Sequence, residues 1–252
     1  MNWSLLDTGA NLGAYNMAVD EELLARAQAG ETMPVLRFYT WDPPAVSIGR
    51  FQKIETAVNA DACKRLGFDI VRRITGGRAV LHHHELTYSI IARADDPLFP
   101  STVIGTYKVI ALALLAGLRN LGMPAEMASR SHQHERHAVQ DEKNPACFSS
   151  PSLYEILVHN RKIIGSAQRR LSGAFLQHGS ILLSYDPALE AEVIPGGSGG
   201  DVVTSVRREL GKDIPLAEVK QAFVKGFSEA LGVEFHEMPP HQHTLKIPNR
   251  AS

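Results

Sequence analysis

The densest run of reactive residue types is RRITGGRAVLHHHELTYS, residues 72–89. Gly76 and Gly77 have no Cβ, so the backbone there can adopt a positive φ and come close to a ligand. Arg72 and Arg73 precede this turn and always carry a positive charge, which suits an anionic or carbonyl-rich ligand. The same pattern is typical of an ordinary β-turn with solvated arginines, so this stretch alone leaves both interpretations open.

Cys147 is a candidate nucleophile. It lies in NPACFSSPS, between Pro145 and Pro151, which predicts a held and partly exposed loop position. An exposed thiol near a cation is reactive because the thiolate form is favoured. An inert loop cysteine is the alternative. Cys63, in DACKRLG, is more typical of a buried structural cysteine.

Lysine and histidine side chains near these motifs could hold or move a proton. Lys162 opens an apolar run and is either an edge residue with its ammonium in water or a donor to a developing oxyanion. His178 lies on a predicted strand, where a histidine usually fills a core or rim position. Strand alternation predicts that His82 and His84 share one face and His83 the other.

A third histidine group has the H-x-H-x-x-H spacing of a metal-ligand set, at His132, His134 and His137. No second ligand pair with zinc-like spacing accompanies it. It lies within residues 126–144, a polar and poorly periodic segment that predicts a long loop. We therefore expect a solvated loop and no metal site.

The whole chain has an ordinary globular composition. Its 252 residues include 26 Lys and Arg against 27 Asp and Glu, for a net charge of -1. No global basic field exists, which argues against nucleic acid as the main partner. The N-terminus lacks the pattern of a signal peptide, and no apolar run approaches the roughly 18 residues that predict a membrane span. The cysteines make no disulfide framework, which favours the cytoplasm.

Hydrophobic periodicity and turn residues predict an α+β fold, with mixed β-sheets covered by helices. Residues 20–22, Asp-Glu-Glu, are interpreted as a solvated acidic face of the first helix. The predicted helices are residues 14–29, 59–66, 101–121 and 216–231, and the predicted strands are residues 3–6, 35–39, 45–48, 86–92, 156–158, 162–164 and 175–184.

Three separated motifs occur in one order, namely RRITGGRAVLHHHELTYS, RKIIGSAQRR and FLQHGSILL. Together they resemble the catalytic domain of the biotin/lipoate A/B protein ligase family, the group of lipoate-protein ligases and octanoyltransferases. NMAVDEELL, PPAVSIGRFQ and VTSVRREL fit the same family. The resemblance covers residues 3–231, which implies a biotin/lipoate ligase-like fold. We expect one catalytic domain over residues 1–252, without an accessory C-terminal domain.

Within that family, ACFSSPSLYEI, RKIIGSAQRR and LQHGSILL are most similar to octanoyltransferases of Gram-positive bacteria. The resemblance implies transfer of octanoyl from acyl carrier protein to a lysine of the glycine cleavage H protein or another lipoyl domain. The substrate would be octanoyl-phosphopantetheine on the carrier, with no further cofactor. Cys147 would form the acyl-thioester and Lys162 would assist. The substrate-binding residues would be Arg72, Arg73, Gly76, Gly77, His82, Gly165, Ser166 and His178.

Other activities within and beyond this family remain open. Some octanoyltransferases carry their nucleophile on the strand, three places before the HG pair, and this sequence has Phe175 there. An ATP-dependent ligase would hold an acyl-adenylate and need no cysteine. An amidotransferase would move octanoyl from the H protein to other lipoyl domains, and a non-catalytic module would only bind acyl carriers. For acidic carrier domains we expect a basic patch formed by Arg72, Arg73, Arg161, Arg169 and Arg170.

Overall fold

The computed structural model describes residues 1–128 and 154–239. Within these ranges the chain forms an eight-stranded mixed sheet and a three-stranded sheet, both packed against helices. The α+β prediction is therefore confirmed. Cys147 and the histidines at 132, 134 and 137 lie outside the described residues, as does most of the loop predicted at 126–144.

The described strands and helices alternate irregularly along the chain. The strands are β1 (Asn2–Asn11), β2 (Val35–Trp41), β3 (Ala45–Ile48), β4 (Asp69–Arg72), β5 (Val80–His82), β6 (Glu85–Arg93), β7 (Ala125–Met127), β8 (Ile156–Val158), β9 (Arg161–Arg170), β10 (Ala174–Leu182) and β11 (Glu234–Glu237). The helices are α1 (Gly13–Ala29), α2 (Ile54–Ala57), α3 (Ala60–Leu66), α4 (Val103–Asn120), α5 (Pro187–Val193), α6 (Val206–Leu210) and α7 (Leu216–Leu231).

Two sheets provide the framework of the fold. The large sheet has the strand order β11-β1-β2-β6-β10-β9-β8-β7, and the small sheet has the order β4-β3-β5. β1 pairs in parallel with β2 and β11, whereas β2, β6, β10 and β9 pair antiparallel in succession. The β6–β10–β9 ladder places Tyr88, Gly179 and Ser166 side by side.

The main core lies between the large sheet and the helix pair α4 and α7. These helices approach closely, since a Cβ on Gly226 would lie 2.4 Å from the backbone nitrogen of Gly117. A second core packs α1 against β1, β2, β6 and β10. A third packs α3 and residues near α5 against the small sheet, and it includes Cys63. The site described below lies where the two sheets meet.

α4 is long and apolar enough to cross a membrane by length and composition alone, with a mean hydropathy of 1.3. No apolar segment of this length was expected from the sequence. Eight of its residues, among them Ile110, Leu114 and Leu118, are buried in the main core. Packing against the sheet and α7 accounts for the apolar composition. Buried core helices of soluble proteins commonly have the same length and apolar composition.

Several boundaries differ from the sequence predictions. α4 begins after Thr102, whose side chain caps Gly105, and not at Ser101. β5 ends at His82, so His83 and His84 lie in a turn and the predicted shared face of His82 and His84 is wrong. Met127 pairs with Ile156 at the edge of the large sheet, where a loop had been predicted.

Candidate active site

A small cavity lies between the two sheets, and the space inside it that is open to the centre of a water-sized molecule is about 30 Å³, well below the volume of a typical ligand pocket. We call it the inner cavity. Its wall is mostly apolar with a few polar groups. It is lined by Met17, Tyr39, Trp41, Ser47, Arg73, Val80, His82, Thr87, Gly165, Ser166, Ala167, His178, Gly179 and Ser180. These side chains come from α1 and from strands of both sheets, so the site exists only once the sheets have packed together.

A second depression, the outer groove, adjoins the inner cavity. Gly76 and Gly77 line it together with Val103, Ile104, Tyr107, Tyr154 and Gln168. Ser166 and Ala167 line both spaces, so the two meet at this point of β9. The Gly-Gly turn predicted from the sequence therefore borders the groove that leads to the inner cavity.

The Gly-Gly turn is held from beneath by Arg73. This guanidinium is buried and donates to the carbonyl oxygens of Gly76 at 2.9 Å and Arg78 at 2.6 Å, and to Ser47. Gly77 has a φ of 87°, a conformation that favours glycine. A Cβ on Gly49 would lie 2.0 Å from the Gly77 carbonyl oxygen. Arg73 thus positions the loop, and its charge is directed at backbone carbonyls.

A buried ionic network centred on Asp20 supports the cavity wall. Asp20 accepts hydrogen bonds from Arg37 at 2.6 Å, from Tyr39 and Ser89, and from His178 Nδ1 at 3.0 Å. The side chains of Asp20 and Arg37 are 1% and 0% exposed. The prediction that Asp20 belongs to a solvated face is therefore wrong. Its core spacing with Leu23 and Leu24 on α1 was a signal that could have revealed this.

The network fixes the tautomer of His178. Burial alone would raise the pKa of Asp20, but the Arg37 charge and the His178 hydrogen bond outweigh it, so this pKa lies below its usual value. As a carboxylate, Asp20 accepts the Nδ1 proton of His178. In the neutral ring Nε2 then accepts from the Thr75 hydroxyl, 2.7 Å away. Because Thr75 directly precedes Gly76, the network reaches from α1 to the Gly-Gly turn.

His82 is held as a neutral ring on the opposite wall. It stacks on Trp41 with ring centroids 4.0 Å apart. Ser47 Oγ accepts from Arg73, so its own proton is directed to His82 Nε2 at 2.8 Å. Nδ1 then donates to Glu85 at 3.3 Å. Burial lowers the pKa of His82 by more than Glu85 raises it, so this wall carries no imidazolium at neutral pH.

The lowered pKa of His82 makes folding stability depend on pH. The unfolded chain, with a His82 pKa near 6.5, binds this proton more readily than the folded chain. Stability should therefore fall as the pH drops below about 6.5, with a slope from this group of at most ~1.4 kcal/mol per pH unit. Urea unfolding is measured between pH 7.5, about one unit above that pKa, and pH 5, about 1.5 units below it. The free energy of unfolding should depend less steeply on pH in His82→Gln than in the wild type. Equal slopes would contradict this assignment.

A chain of hydrogen bonds leads to the Ser166 hydroxyl, where the cavity meets the groove. Gln168 donates to Gln177 at 3.0 Å, and Gln177 donates to the Tyr88 hydroxyl at 3.1 Å. Burial raises the pKa of Tyr88 to about 12, so it keeps its proton, and its oxygen lies 2.7 Å from Ser166 Oγ, where either hydroxyl can be the donor. When Tyr88 donates, the Ser166 proton is left to donate to a ligand.

Lys162 lies near the start of β9 and is 1% exposed. Its ammonium forms an ion pair with Glu155 at 2.6 Å, so the interpretation as an edge lysine in water is wrong. In the part of the chain that the structure describes, Lys162 does not line the inner cavity. Glu155 directly precedes β8, so the ion pair joins β9 to the start of β8.

The predicted site residues thus separate into groups. Arg73, His82, Gly165, Ser166 and His178 line the inner cavity, while Gly76 and Gly77 line the outer groove. Arg72 and Lys162 lie elsewhere, and Cys147 is outside the described residues.

Arg72 is exposed and donates to the carbonyl oxygens of Gly49, Arg50 and Gln52. The predicted basic patch does not form as proposed. Arg73 is buried, and Arg169 and Arg170 are partly buried with bonds to backbone carbonyls. Among residues 1–128 and 154–239, no group of three or more His, Cys, Asp or Glu side chains could hold a metal ion.

Comparison with known proteins places this geometry in a family. The sequence pattern of the lipoyl protein ligase A/B catalytic domain matches residues 13–228. The chain belongs to this family. Octanoyltransferase LipM of Brevibacillus brevis is 43% identical over 242 residues, covering 92% of this chain and 88% of the relative. LipM of Symbiobacterium thermophilum is 44% identical, with coverages of 92% and 87%. The chain is accordingly an enzyme of the acyltransferase type.

Solved structures of the family share the fold. A lipoate-protein ligase A bound with ATP superposes with a TM-score of 0.78 at 29% identity, covering 94% of this chain and 89% of that one. A bi-partite lipoate protein ligase from Thermoplasma acidophilum, studied with its E2 lipoyl domain, gives 0.74 at 27% identity, with coverages of 94% and 87%. The fold predicted from the three sequence motifs is confirmed.

Proposed function

We propose that this enzyme transfers an octanoyl group from acyl carrier protein to a lysine of a lipoyl-carrier domain, such as the glycine cleavage H protein, through an acyl-thioester on Cys147. The observation that carries the proposal is the mostly apolar inner cavity, which meets the outer groove at Ser166 and Ala167, where the Gly-Gly turn borders the groove. The apolar lining suits an alkyl chain whose carbonyl end remains reachable from the groove, and the side chains of the cavity would have to move apart to admit eight carbons. The similarity to LipM octanoyltransferases supports the same assignment.

The reaction would proceed in two balanced steps. The Cys147 thiolate attacks the octanoyl thioester, forming a new carbon–sulfur bond while the phosphopantetheine thiolate leaves and takes up a proton. The neutral amine of the target lysine then attacks the Cys147 thioester, an amide forms, and the amine's proton passes to solvent as the Cys147 thiolate is regenerated. Two thioester-level steps replace one direct aminolysis, the usual gain from covalent catalysis.

The described residues would hold the acyl group and stabilise its carbonyl. Trp41, Met17 and the neutral His82 ring would contact the alkyl chain. The Ser166 hydroxyl and nearby backbone N–H groups can donate to a carbonyl oxygen, and donors fixed before the reaction are the effective ones. Lys162 is paired with Glu155 outside the inner cavity, so to assist in the reaction it would have to leave this pair and move toward the carbonyl. A cytoplasmic location and the lack of a further cofactor belong to this proposal.

The second candidate function is ATP-dependent ligation, which is favoured by the similarity to a lipoate-protein ligase solved with ATP. The two activities separate in one assay with an apo lipoyl domain. We expect the domain to gain an octanoyl group from octanoyl-acyl carrier protein without ATP. Modification that requires free octanoate and ATP would instead assign the ligase. If the domain gained the octanoyl group only from octanoyl-H protein, the activity would be that of an amidotransferase.

Since Ser166 donates to the reacting carbonyl in this proposal, Ser166→Ala should lower kcat/KM for octanoyl transfer by roughly tenfold to a hundredfold. Tyr185→Phe is the matched control, because it removes a hydroxyl that bonds Glu190 on a residue that lines neither the inner cavity nor the outer groove. An unchanged kcat/KM in Ser166→Ala would exclude the hydroxyl from the reaction.

A further inference from the structure

The most exposed large apolar side chain in the described part of the molecule is Phe51, at 85%. It lies at the tip of residues 49–53, which we call the Phe51 loop. Arg50 is stacked beside it, with its guanidinium carbon 5.5 Å from the ring centroid. Exposed aromatic side chains next to arginine are typical of the anchors that dominate protein–protein interfaces. The loop therefore has the composition of an interaction surface.

The Phe51 loop is built to a fixed shape. The Arg72 guanidinium donates to three of its carbonyl oxygens, those of Gly49 at 3.0 Å, Arg50 at 3.1 Å and Gln52 at 2.7 Å. The side chain of Gln52 accepts from the Gly49 N–H at 3.0 Å. A loop fixed in this way presents Phe51 without a large ordering cost on binding. Arg72, which was predicted to bind substrate, thus also shapes this surface.

The loop lies directly against the Gly-Gly turn of the site. The Arg50 N–H donates to the Thr75 carbonyl at 2.9 Å, and Gly49 packs on the Gly77 carbonyl as described above. Since Gly77 lines the outer groove, a partner seated on Phe51 is next to the route to the inner cavity.

The charge around Phe51 is positive. Arg50, Lys53 and Arg72 are exposed there, against one carboxylate in residues 49–57, Glu55. Such a surface favours a partner with an acidic face, even though the whole chain has a net charge of -1.

We propose that the Phe51 loop is the docking surface for the lipoyl domain that carries the target lysine. This inference rests on the proposed function. The acceptor and the acyl donor differ in how far the reacting group extends from the body of the carrier. A lysine presents its amine on a four-carbon stem, so the body of the acceptor must come close to the groove. A donor delivers its acyl group on a longer pantetheine arm, so its body can bind farther away.

The test is steady-state kinetics of Phe51→Ala and Arg50→Glu with octanoyl-acyl carrier protein as donor and an apo lipoyl domain as acceptor. We expect KM for the lipoyl domain to rise about tenfold, the effect of losing one good interface contact. kcat and KM for the donor should not change. Leu112→Ala and Lys64→Glu, an exposed apolar and an exposed basic residue elsewhere, are the matched controls and should leave all constants unchanged.

Two outcomes would overturn the proposal. An unchanged KM for the lipoyl domain in both variants would show that the Phe51 loop is not its docking surface. A raised KM for the donor alone would assign the loop to the donor carrier. Direct binding of the apo lipoyl domain by calorimetry keeps this test separate from the proposed function. If the wild-type enzyme transfers no octanoyl group, weaker binding by Phe51→Ala still supports the surface, and equal binding rejects it.

Discussion

Replacing Cys147 by alanine is expected to lower the rate of octanoyl transfer by roughly a thousandfold or more, the usual effect of removing a catalytic nucleophile. The proposed acyl-thioester cannot form without this sulfur. The measurement is the initial rate of lipoyl-domain modification, followed by mass spectrometry at saturating donor. Folding should be unaffected, as judged by an unchanged midpoint of urea unfolding.

Cys63→Ala is the matched control for this experiment. Cys63 is fully buried in the core beneath the small sheet, and burial raises the pKa of its thiol. A thiol of this kind is unreactive, so Cys63→Ala should transfer octanoyl at the wild-type rate. Full activity in Cys147→Ala would contradict covalent catalysis at this residue and favour the ATP-dependent reaction.

The largest expected effect on stability is that of Asp20→Asn. The substitution leaves the Arg37 guanidinium buried without a countercharge, and breaking a buried ion pair on one side costs about 3–5 kcal/mol. It also removes the carboxylate that sets the His178 tautomer, so the support of the Gly-Gly turn through Thr75 is weakened. Urea unfolding at pH 7 measures the loss of free energy.

Asp95→Asn is the control for charge removal. Asp95 forms an ion pair with Arg93 at 2.7 Å on the surface, with side chains 68% and 46% exposed. Exposed ion pairs contribute little to stability, so this variant should unfold almost as the wild type does. If Asp20→Asn unfolded like Asp95→Asn, the Asp20–Arg37 pair would not be the structural centre described here.

Strongly periodic segments were predictable from the sequence. α7 has the bounds expected from its apolar stripe, and α1 differs by one residue at its start. β11 was missed because three of its four residues, EFHE, are polar, and because the strand lies at an exposed edge and is held by parallel pairing with β1. Pairing between the first and last described strands is a long-range contact that no local pattern reports. α5 and α6 were missed because they are only 7 and 5 residues long.

The candidate site was partly predictable, because motifs identify residue types but not their partners. The Gly-Gly turn and the strand residues Gly165, Ser166 and His178 were recognised, and they meet around the inner cavity and outer groove. Asp20 and Arg37 were not, since their pairing joins α1 to β2 across the core. The hydrogen-bond partners of Arg72 were missed for the same reason, because they are carbonyls some twenty residues away.

Acyl transfer through Cys147 without ATP can be tested by measuring the intact mass of the protein. The purified enzyme is mixed with octanoyl-acyl carrier protein alone, without ATP and without a lipoyl domain. We predict an added octanoyl mass that is lost on hydroxylamine treatment and is absent from Cys147→Ala. An unmodified protein under these conditions, with an acyl-adenylate formed once free octanoate and ATP are supplied, would contradict the account and assign a ligase.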